Sequence, residues 1–346
     1  MKRRNKIIII ILLLAGLTAA IPFYRYYRWI YSRNIDLKGD KEHYLYIPTG
    51  SDYQDVLDSL NADGHIKNIH SFDWLAVKKN YPNHVHPGRY KLRPGMSNNK
   101  LIGMLRSGSQ EPVMLTFNNI HTIEELATVV SRQIEAKAQD IVFLLNDRAF
   151  LDKIGLTPVT RIGIFLPDSY EFYWNTSAEQ FIYRMYKEYN RFWNRERTKK
   201  AEAIGLSPME VMTLASIVDE ETVMKEEEPA VAGVYLNRLK KRMRLQADPT
   251  IKFAHGDMNI QRILKKHLLT DSPYNTYRYG GLPPGPIRIP ALSAISAVLD
   301  YQHHDYLYFC ARDDFSGYHV FARTLEQHNE NARSYRKALD QQKIFN

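Results

Sequence analysis

An uncharged, apolar run near the N-terminus, from Ile7 to Tyr24, constrains the fold of this chain more than any other feature. As a helix, at about 1.5 Å per residue, it would extend roughly 27 Å, which is close to the hydrocarbon thickness of a bilayer. Its isoleucine and leucine block has no polar face, which is atypical of a core helix in a globular protein. The sequence therefore predicts a single transmembrane helix at residues 7–24.

The flanks of this run bear on whether the helix is retained and how it is oriented. Ala19 and Ala20 are small enough to mark a cleavage site, so a removed signal peptide is the alternative. The apolar block continues past them and ends in aromatic and basic residues typical of a membrane interface. Positive charge is greater before the run than just after it. This asymmetry predicts a cytoplasmic tail at residues 1–6 and a single-pass protein of the inner (cell) membrane whose remaining chain is extracytoplasmic.

The remaining composition narrows the function classes. Hydrophobic residues make up 44% and charged residues 25%, as in ordinary folded proteins. The net charge of +9 is spread along the chain rather than concentrated in one stripe, so nucleic acid is not a predicted partner. The single cysteine excludes an intramolecular disulfide. His84 and His86 are too few for a metal site, and no glycine-rich phosphate loop occurs, so we predict neither a metal nor an organic cofactor.

The chain after the predicted span divides into three parts. Residues 25–42 are polar and basic, which favours a juxtamembrane linker. Residues 43–110 alternate short strand and helix patterns and predict a small α+β module. Glu111 and Pro112 mark a boundary, after which residues 111–346 predict a mixed α/β catalytic domain, so that the fold class is α+β. The elements predicted in the small module are a strand at 44–47, helices after Ser51, Ser71 and Ser97, and a strand at 89–92.

One helix in the second half can be placed with care because its start is marked twice. Ser207 and Glu210 form a capping box, and Pro208 occupies the first helical position. The apolar face that follows carries Leu214 and Val218, and Glu221 is the next position on that face. A carboxyl group packed against apolar side chains has a raised pKa, as a general acid near neutral pH requires.

The phasing also separates Glu221 from its acidic neighbours. Asp219 and Glu220 turn away from the apolar face and are predicted to be solvated. From the residues alone, an exposed glutamate at a frayed helix end is the alternative reading of Glu221. The run Glu226–Glu228 precedes a further helix, where acidic residues complement the helix dipole and are interpreted as structural.

Downstream residues have the chemistry of a sugar-binding groove. Arg238 falls on the buried face of the helix that follows Pro229, where a guanidinium needs a carboxylate or a hydroxyl network. Three proline-rich loops follow, and such loops are rigid enough to line a groove. Aromatic rings can stack on pyranose rings, while amides and carboxylates bind hydroxyl groups. The candidate substrate-binding residues are Arg238, Gln246, Asp248, Tyr274, Asn275 and Tyr277.

Several segments, taken in order and spacing, resemble the endolytic murein transglycosylase family, called MltG or YceG-like. The resemblance covers nearly the whole chain and includes the N-terminal anchor and a LysM-like module at residues 43–110. The segments that carry it are Leu214–Thr222, Asn237–Leu239, Leu245–Thr250, Ser272–Tyr277, Gly281–Pro286, Tyr306–Phe309 and His319–Phe321.

The resemblance assigns a catalytic residue. The family's catalytic glutamate stands immediately before the threonine of a Glu-x-Glu-Thr motif, which corresponds here to Glu221 before Thr222. The first acid of the motif is Asp219 in this chain, and a catalytic position would tolerate such shortening badly. Two loops depart from the family pattern and leave their substrate contacts open, Phe117–Ile120 and Ile162–Gly163, and the segment Ile287–Ala291 also differs from that pattern.

The resemblance also implies an activity, lytic cleavage between N-acetylmuramic acid and N-acetylglucosamine within nascent glycan strands. The product would carry a 1,6-anhydromuramic end, and cleavage would limit strand elongation. Peptidoglycan synthases are implied partners. A hydrolytic muramidase that uses Asp248 as a second carboxylate is one alternative. A non-catalytic, membrane-anchored protein that binds the wall through its LysM-like module is the other.

Overall fold

The computed structural model describes residues 7, 18, 20–39, 42–258, 260 and 263–341. The predicted tail at residues 1–6 and most of the predicted span, residues 8–17 and 19, lie outside the described residues. Within the described ranges, no single helix has both the length and the apolarity to cross a bilayer. Residues 20–31 form helix α1, which continues into the predicted juxtamembrane stretch.

Two compact units make up the chain. The first contains residues 1–115 with two short later segments, 133–135 and 171–176. The second contains residues 116–132, 136–170 and 177–346. The sequence boundary predicted at residue 111 is close to the start of the second unit in the chain, but the two later segments return to the first unit and had no signal in the residue pattern.

The first unit is built around one antiparallel pair. Strand β1 (His43–Ile47) pairs with β2 (Gly88–Leu92) in the register His43 to Leu92 and Ile47 to Gly88. Alternate strand residues are buried because one face of this pair covers the core. The helices of the unit are α2 (Tyr53–Ala62), α3 (Ile69–Lys78) and α4 (Asn98–Arg106).

The N-terminal caps of these helices agree only in part with the caps predicted from the sequence. Ser97 caps α4 as predicted, since its side chain accepts from the backbone N–H of Lys100. The cap of α2 is Asp52 rather than Ser51, because Asp55 completes a reciprocal box with Asp52. The cap of α3 is Asn68, so this helix begins before the predicted Ser71.

The second unit is mostly helical. Strands β3 (Val113–Thr116) and β4 (Ser169–Phe172) form a two-stranded sheet, and each of them has residues in both units. Within the second unit, β5 (Tyr308–Ala311) pairs antiparallel with β6 (His319–Ala322). The helices are α5 (Ile123–Ser131), α6 (Ala138–Asn146), α7 (Arg148–Lys153), α8 (Ala178–Phe192), α9 (Arg195–Ala203), α10 (Pro208–Glu221), α11 (Glu228–Lys240), α12 (Asp248–His255), α13 (Leu292–Leu299) and α14 (Leu325–Gln341).

Helix α10 starts at the predicted capping box and ends at Glu221. All residues from Val211 to Val218 are buried, including the polar Thr213 and Ser216, because α11, α12 and α13 all pack against α10. The prediction of one apolar face was therefore too narrow. Because α10 is surrounded by other helices, the acidic residues at its C-terminal end are partly buried on every face of the helix.

Candidate active site

Glu221 is the last residue of α10, at the point where the chain turns into extended backbone at Thr222. The hydroxyl group of Tyr235, on α11, forms a hydrogen bond with the Glu221 carboxyl group. Oxygen Oε2 of Glu221 is buried and has no hydrogen-bond partner among the described residues. The tyrosine therefore binds the other oxygen, and one carboxyl oxygen stays uncommitted.

The surroundings of Glu221 keep its carboxyl group protonated. Burial raises the pKa of Glu221 from 4.5 to about 8, and the negative charge of Asp248 adds to the rise. The hydrogen bond from Tyr235 and the positive charges of Arg238 and Lys252 oppose the rise in pKa. At neutral pH a group with this pKa is mainly the neutral acid, with a proton available for donation.

Asp248 and Tyr277 form a pair beside Glu221. The Tyr277 hydroxyl donates to Oδ1 of Asp248 at 2.5 Å, and Asp248 itself is exposed at the first turn of α12. Burial raises the pKa of Tyr277 above its usual range, and the bond to Asp248 and the charge of Glu221 raise it further. Tyr277 therefore stays a neutral donor to Asp248.

Arg238 is buried, and it influences Glu221 through its positive charge. It is 7% exposed, its Nε donates to the Leu307 carbonyl at 2.7 Å, and its Nη1 donates to the Leu245 carbonyl at 2.5 Å. These contacts do not favour the prediction that Arg238 binds substrate hydroxyl groups, because its guanidinium group already donates to two backbone carbonyls. They tie α11 to the loop before α12 and hold a positive charge near Glu221, which is a positioning role.

Asp219 and Glu220 were predicted to be solvated, and this prediction was wrong. Both are partly buried and contact Arg288, which is 8% exposed. The Arg288 Nε lies 3.2 Å from Oδ2 of Asp219, and its Nη1 donates to Oε1 of Glu220. The reason is that α10 is covered on all sides, so residues turned away from the Glu221 face meet another part of the protein instead of water.

The Arg288 cluster gathers residues from loops that depart from the family pattern. Nη2 of Arg288 donates to Oδ1 of Asn119, in the segment Phe117–Ile120, and His121 Nε2 lies 2.8 Å from Oε1 of Glu220. Burial raises the pKa of Glu220, but His121 and Arg288 together bring it below its ordinary value. Residue reading missed Arg288 and His121 because neither shares a local pattern with α10.

The other candidate sugar-binding residues occupy three different environments. Gln246 is exposed, with a left-handed backbone at φ +48°. Asn275 is fully buried, and its amide group donates to the carbonyls of Leu268 and Thr270 while its oxygen accepts from two backbone N–H groups. These contacts use its hydrogen-bonding capacity to hold the loop, so Asn275 is a structural residue in this geometry.

Tyr274 lines a separate cavity of the second unit. Its ring lies 4.6 Å from that of Phe253, between centroids, and burial raises the pKa of its hydroxyl. The cavity has a volume of 210 Å³, and His121 and Arg161 are also among its lining residues. Tyr274 is thus placed to contact a ligand in that cavity.

A buried threonine pair, which residue reading also missed, aligns the loops around Asp248. The Thr276 hydroxyl accepts from the backbone N–H of Ala247 at 3.0 Å and lies 2.8 Å from that of Thr250. Both threonines are nearly inaccessible to solvent. Because Thr276 precedes Tyr277 and Ala247 precedes Asp248, these bonds set the register that brings Tyr277 onto Asp248.

The turn after Glu221 is held by a third set of contacts. The carboxylate of Glu227 accepts from the backbone N–H of His319 at 2.8 Å, and its second oxygen lies 2.8 Å from His319 Nδ1. The Thr222 hydroxyl donates to the same carboxylate at 3.5 Å. These contacts favour the interpretation of Glu227 as a structural residue, through His319 and Thr222 rather than through the helix dipole. Among the described residues, no group of three or more His, Cys, Asp or Glu side chains is arranged to hold a metal ion.

Comparison with known proteins places this geometry in a family. The sequence model of the family described as YceG-like matches residues 45–334. A protein of Bacillus subtilis (strain 168) named endolytic murein transglycosylase is 30% identical, over 84% of this chain and 83% of that protein. A protein of the same name from Streptococcus pneumoniae serotype 2 is 29% identical over 87% of this chain, and the match spans 60% of that longer protein.

A solved structure agrees in both sequence and fold. A YceG-like protein of Listeria monocytogenes, known from a crystal structure at 2.6 Å, is 29% identical, with a TM-score of 0.57. The similarity covers 84% of this chain and 98% of that one. With the family match extending over most of the sequence, these findings agree with the resemblance carried by the motifs around Glu221. The chain belongs to the YceG-like family.

Proposed function

We propose that this chain is an endolytic lytic transglycosylase that cleaves peptidoglycan glycan strands, with Glu221 as its acid and base. The observation that carries the proposal is the Glu221 carboxyl group, whose pKa is raised to about 8 and whose Oε2 has no partner among the described residues. Relatives named endolytic murein transglycosylase support the substrate class.

The chemistry follows from a single carboxyl group that changes protonation state. Neutral Glu221 donates its proton to the glycosidic oxygen between N-acetylmuramic acid and N-acetylglucosamine as that bond breaks. The resulting carboxylate then accepts the proton of the muramyl C6 hydroxyl, whose oxygen closes on C1 to form the 1,6-anhydro ring. Because the substrate supplies its own nucleophile, the second carboxylate of an ordinary glycosidase is not required.

The neighbours of Glu221 act on the two halves of this cycle in opposite directions. Asp248 raises the pKa of Glu221 and so favours the protonated state that begins the reaction. Arg238 and Lys252 lower that pKa and stabilise the carboxylate formed after proton transfer. The Asp248 carboxylate also adds a negative charge near the site, which favours the positive charge that develops at C1 of the muramyl ring.

The proposal extends to location and biological role. A helix at residues 7–24 anchors the chain in the cell membrane, with the catalytic unit outside, and the LysM-like module at residues 43–110 lies on nascent glycan. Cleavage of strands near the membrane then limits their elongation, next to peptidoglycan synthases. The apolar run and the charge asymmetry around it support the anchor.

Product analysis tests the chemistry. Un-cross-linked glycan strands are incubated with the wild type and the Glu221→Gln variant, and the products are weighed by mass spectrometry. We expect internal cleavage with 1,6-anhydromuramic ends for the wild type and at least a roughly 1,000-fold lower rate for the variant, since a neutral amide cannot donate the proton. Wild-type products that end in reducing muramic acid, heavier by one water, would contradict the transglycosylase assignment.

Hydrolysis is the second candidate, and one observation favours it. Asp248 is an exposed carboxylate whose charge acts on Glu221, the arrangement of a muramidase with two carboxylates. The same mass measurement separates the two reactions. A non-catalytic wall-binding role would instead leave cleavage and strand length unchanged in Glu221→Gln.

A further inference from the structure

A basic cavity in the first unit is not part of the site around Glu221. It has a volume of 460 Å³ and is formed by the exposed end of α1, the segment that follows it and the start of α3. Four cationic side chains line it, from Arg25, Arg28, Arg33 and Lys67, and no carboxylate is among its described lining residues. A concave surface with this charge favours an anion.

The arginines are available for a ligand. None of Arg25, Arg28 and Arg33 forms an ion pair with a described residue. The Cζ of Arg25 lies 5.0 Å from the Trp29 ring centroid and that of Arg28 lies 6.0 Å from the Tyr24 ring centroid, and all three arginines are exposed residues. Lys67 differs, because its ammonium group is 3.1 Å from Asp36. A guanidinium group without a carboxylate partner can bind two phosphate oxygens through its paired N–H donors.

The inner wall of the cavity is an ordered polar network. Asn34, Ser71 and Asn98 are each at most 6% exposed. Nδ2 of Asn34 donates to Oδ1 of Asn98 at 2.6 Å, and Nδ2 of Asn98 donates to the Trp29 carbonyl at 2.8 Å. Nδ2 of Asn98 also donates to Oγ of Ser71 at 2.9 Å, so the network ties α1 to α3 and α4 beside the arginines. The wall also contains the N-terminal end of α3, whose helix dipole favours an anion.

Aromatic side chains next to the cavity indicate where the anion comes from. The ring of Tyr26 stacks on Trp74 of α3 with centroids 5.2 Å apart, and Trp29 meets Trp74 at 5.6 Å. Tyr24 and Tyr27 on α1 are exposed. Tyrosine and tryptophan collect at the level of lipid head groups, and α1 continues directly from the apolar run at residues 7–24.

We propose that this cavity binds the phosphate or diphosphate head group of a membrane lipid and holds the first unit against the membrane surface. The inference rests on the membrane placement proposed above. Arg28 and Arg33 contact the phosphate oxygens, and the aromatic cluster lies beside the lipid glycerol or prenyl chain. With the first unit held at the membrane, the catalytic unit would act on glycan strands near the membrane surface.

The test uses the full chain in micelles of the phosphate-free detergent dodecyl maltoside and native mass spectrometry. Three probes are titrated separately: phosphatidylglycerol, a polyprenyl diphosphate, and inorganic pyrophosphate. The variant Arg28→Gln/Arg33→Gln removes two cavity charges, and the control Lys78→Gln/Arg106→Gln removes two exposed charges from α3 and α4. We expect the cavity variant to bind the lipid roughly 10- to 100-fold more weakly, because two charge-assisted contacts are lost, and the control to match the wild type.

The outcomes separate the inference from its premise. Selective loss in the cavity variant supports the site, and the lipid probe that shows the larger loss identifies the head group. Equal weakening in both variants, or binding of inorganic pyrophosphate without either lipid, would overturn it. Flotation of the wild type with vesicles tests the membrane placement by itself, and thermal unfolding of both variants verifies that they fold.

Discussion

At the scale of single residues, the chemistry of Glu221 comes from what surrounds its carboxyl group. The sequence shows that residue 221 is a glutamic acid, but its pKa of about 8 results from burial and from the charge of Asp248, which lies on a different helix. The Tyr235 hydroxyl then engages one oxygen and leaves Oε2 without a partner among the described residues. Three predictions follow from this environment.

If Glu221 is the acid proposed above, the rate of glycan cleavage should fall as the pH rises through about 8, because only its protonated form can donate to the glycosidic oxygen. We expect the initial rate to be lower at pH 9 than at pH 7, with substrate held well above its half-saturating concentration. The measurement is a pH profile of anhydromuramic product formation. A profile that stays level from pH 7 to pH 9.5 would argue against Glu221 as the acid.

Replacing Asp248 by Asn should lower the pKa of Glu221, because the negative charge that helps to raise it is removed. The alkaline limb of the same profile should move to lower pH by about 0.5–1 unit. Asp152→Asn, on the exposed surface of α7, is the matched control and should leave the limb in place. A shift of the limb to higher pH in Asp248→Asn would contradict the charge argument.

Glu221→Gln should make the protein more stable than the wild type at alkaline pH. The folded-state pKa of Glu221 is raised, so its stabilising contribution is complete below the unfolded value of 4.5 and is lost as the pH rises toward about 8. The amide does not ionise, so the variant should gain about 4 kcal/mol over the wild type between pH 5 and pH 9. Urea unfolding of both proteins at the two pH values measures this difference, and parallel pH dependences would refute it.

At the scale of elements, α10 is a helix buried on all sides, and its polar side chains need hydrogen-bond partners inside the protein. The Ser216 hydroxyl donates to the Thr213 carbonyl at 2.7 Å within the helix and accepts from the backbone N–H of Ile287 at 3.0 Å. This second bond attaches the loop that carries Arg288 to the middle of α10. The capping box at Ser207, in contrast, satisfies only the exposed start of the helix.

Ser216→Ala should therefore cost more than Ser207→Ala. Loss of the cap is worth about 1 kcal/mol. Loss of the Ser216 hydroxyl leaves the Ile287 N–H buried without a partner, which costs roughly 1–3 kcal/mol. Only Ser216→Ala should also lower the cleavage rate, because the loop with Arg288 is released from α10. Urea unfolding and glycan cleavage assays of both variants test this, and equal effects on the rate would contradict the proposed link.

At the scale of the whole molecule, the Arg288 cluster joins parts of the second unit that are far apart in the chain. Arg288 holds Asp219 and Glu220 at the end of α10 and Asn119 in a loop near the start of that unit. The two carboxylates are adjacent in sequence and partly buried. Without the guanidinium, their negative charges would lack their common cationic partner.

Arg288→Gln should destabilise the protein by roughly 3–5 kcal/mol, because it removes one side of a buried ion pair. Adding Asp219→Asn and Glu220→Gln to the same protein removes the uncompensated charges and should restore at least half of the loss. Thermal unfolding of the single and triple variants measures the recovery. A triple variant that is less stable than Arg288→Gln alone would show that the carboxylates have another role.

Local sequence determined much of this protein. It set the α+β character, the start of α10 at Ser207, the apolar contacts of Val218 and Leu214, and the identity of Glu221 as the acid that ends the helix. These features depend on hydrogen bonds and side-chain spacing within a few residues, which a linear pattern records. The family motif pointed to the same glutamate.

Tertiary structure decided the rest, because the charges that tune the site come from distant positions. Asp219 and Glu220 became members of an ion cluster only because Arg288 packs against α10. Asn275 became a loop support, and Tyr277 reached Asp248 through the bonds of Thr276. Burial and Coulomb interactions depend on distance in space rather than along the chain, so the sequence determined that a glutamic acid ends α10, and the packing of α10, α11 and α12 determined its pKa.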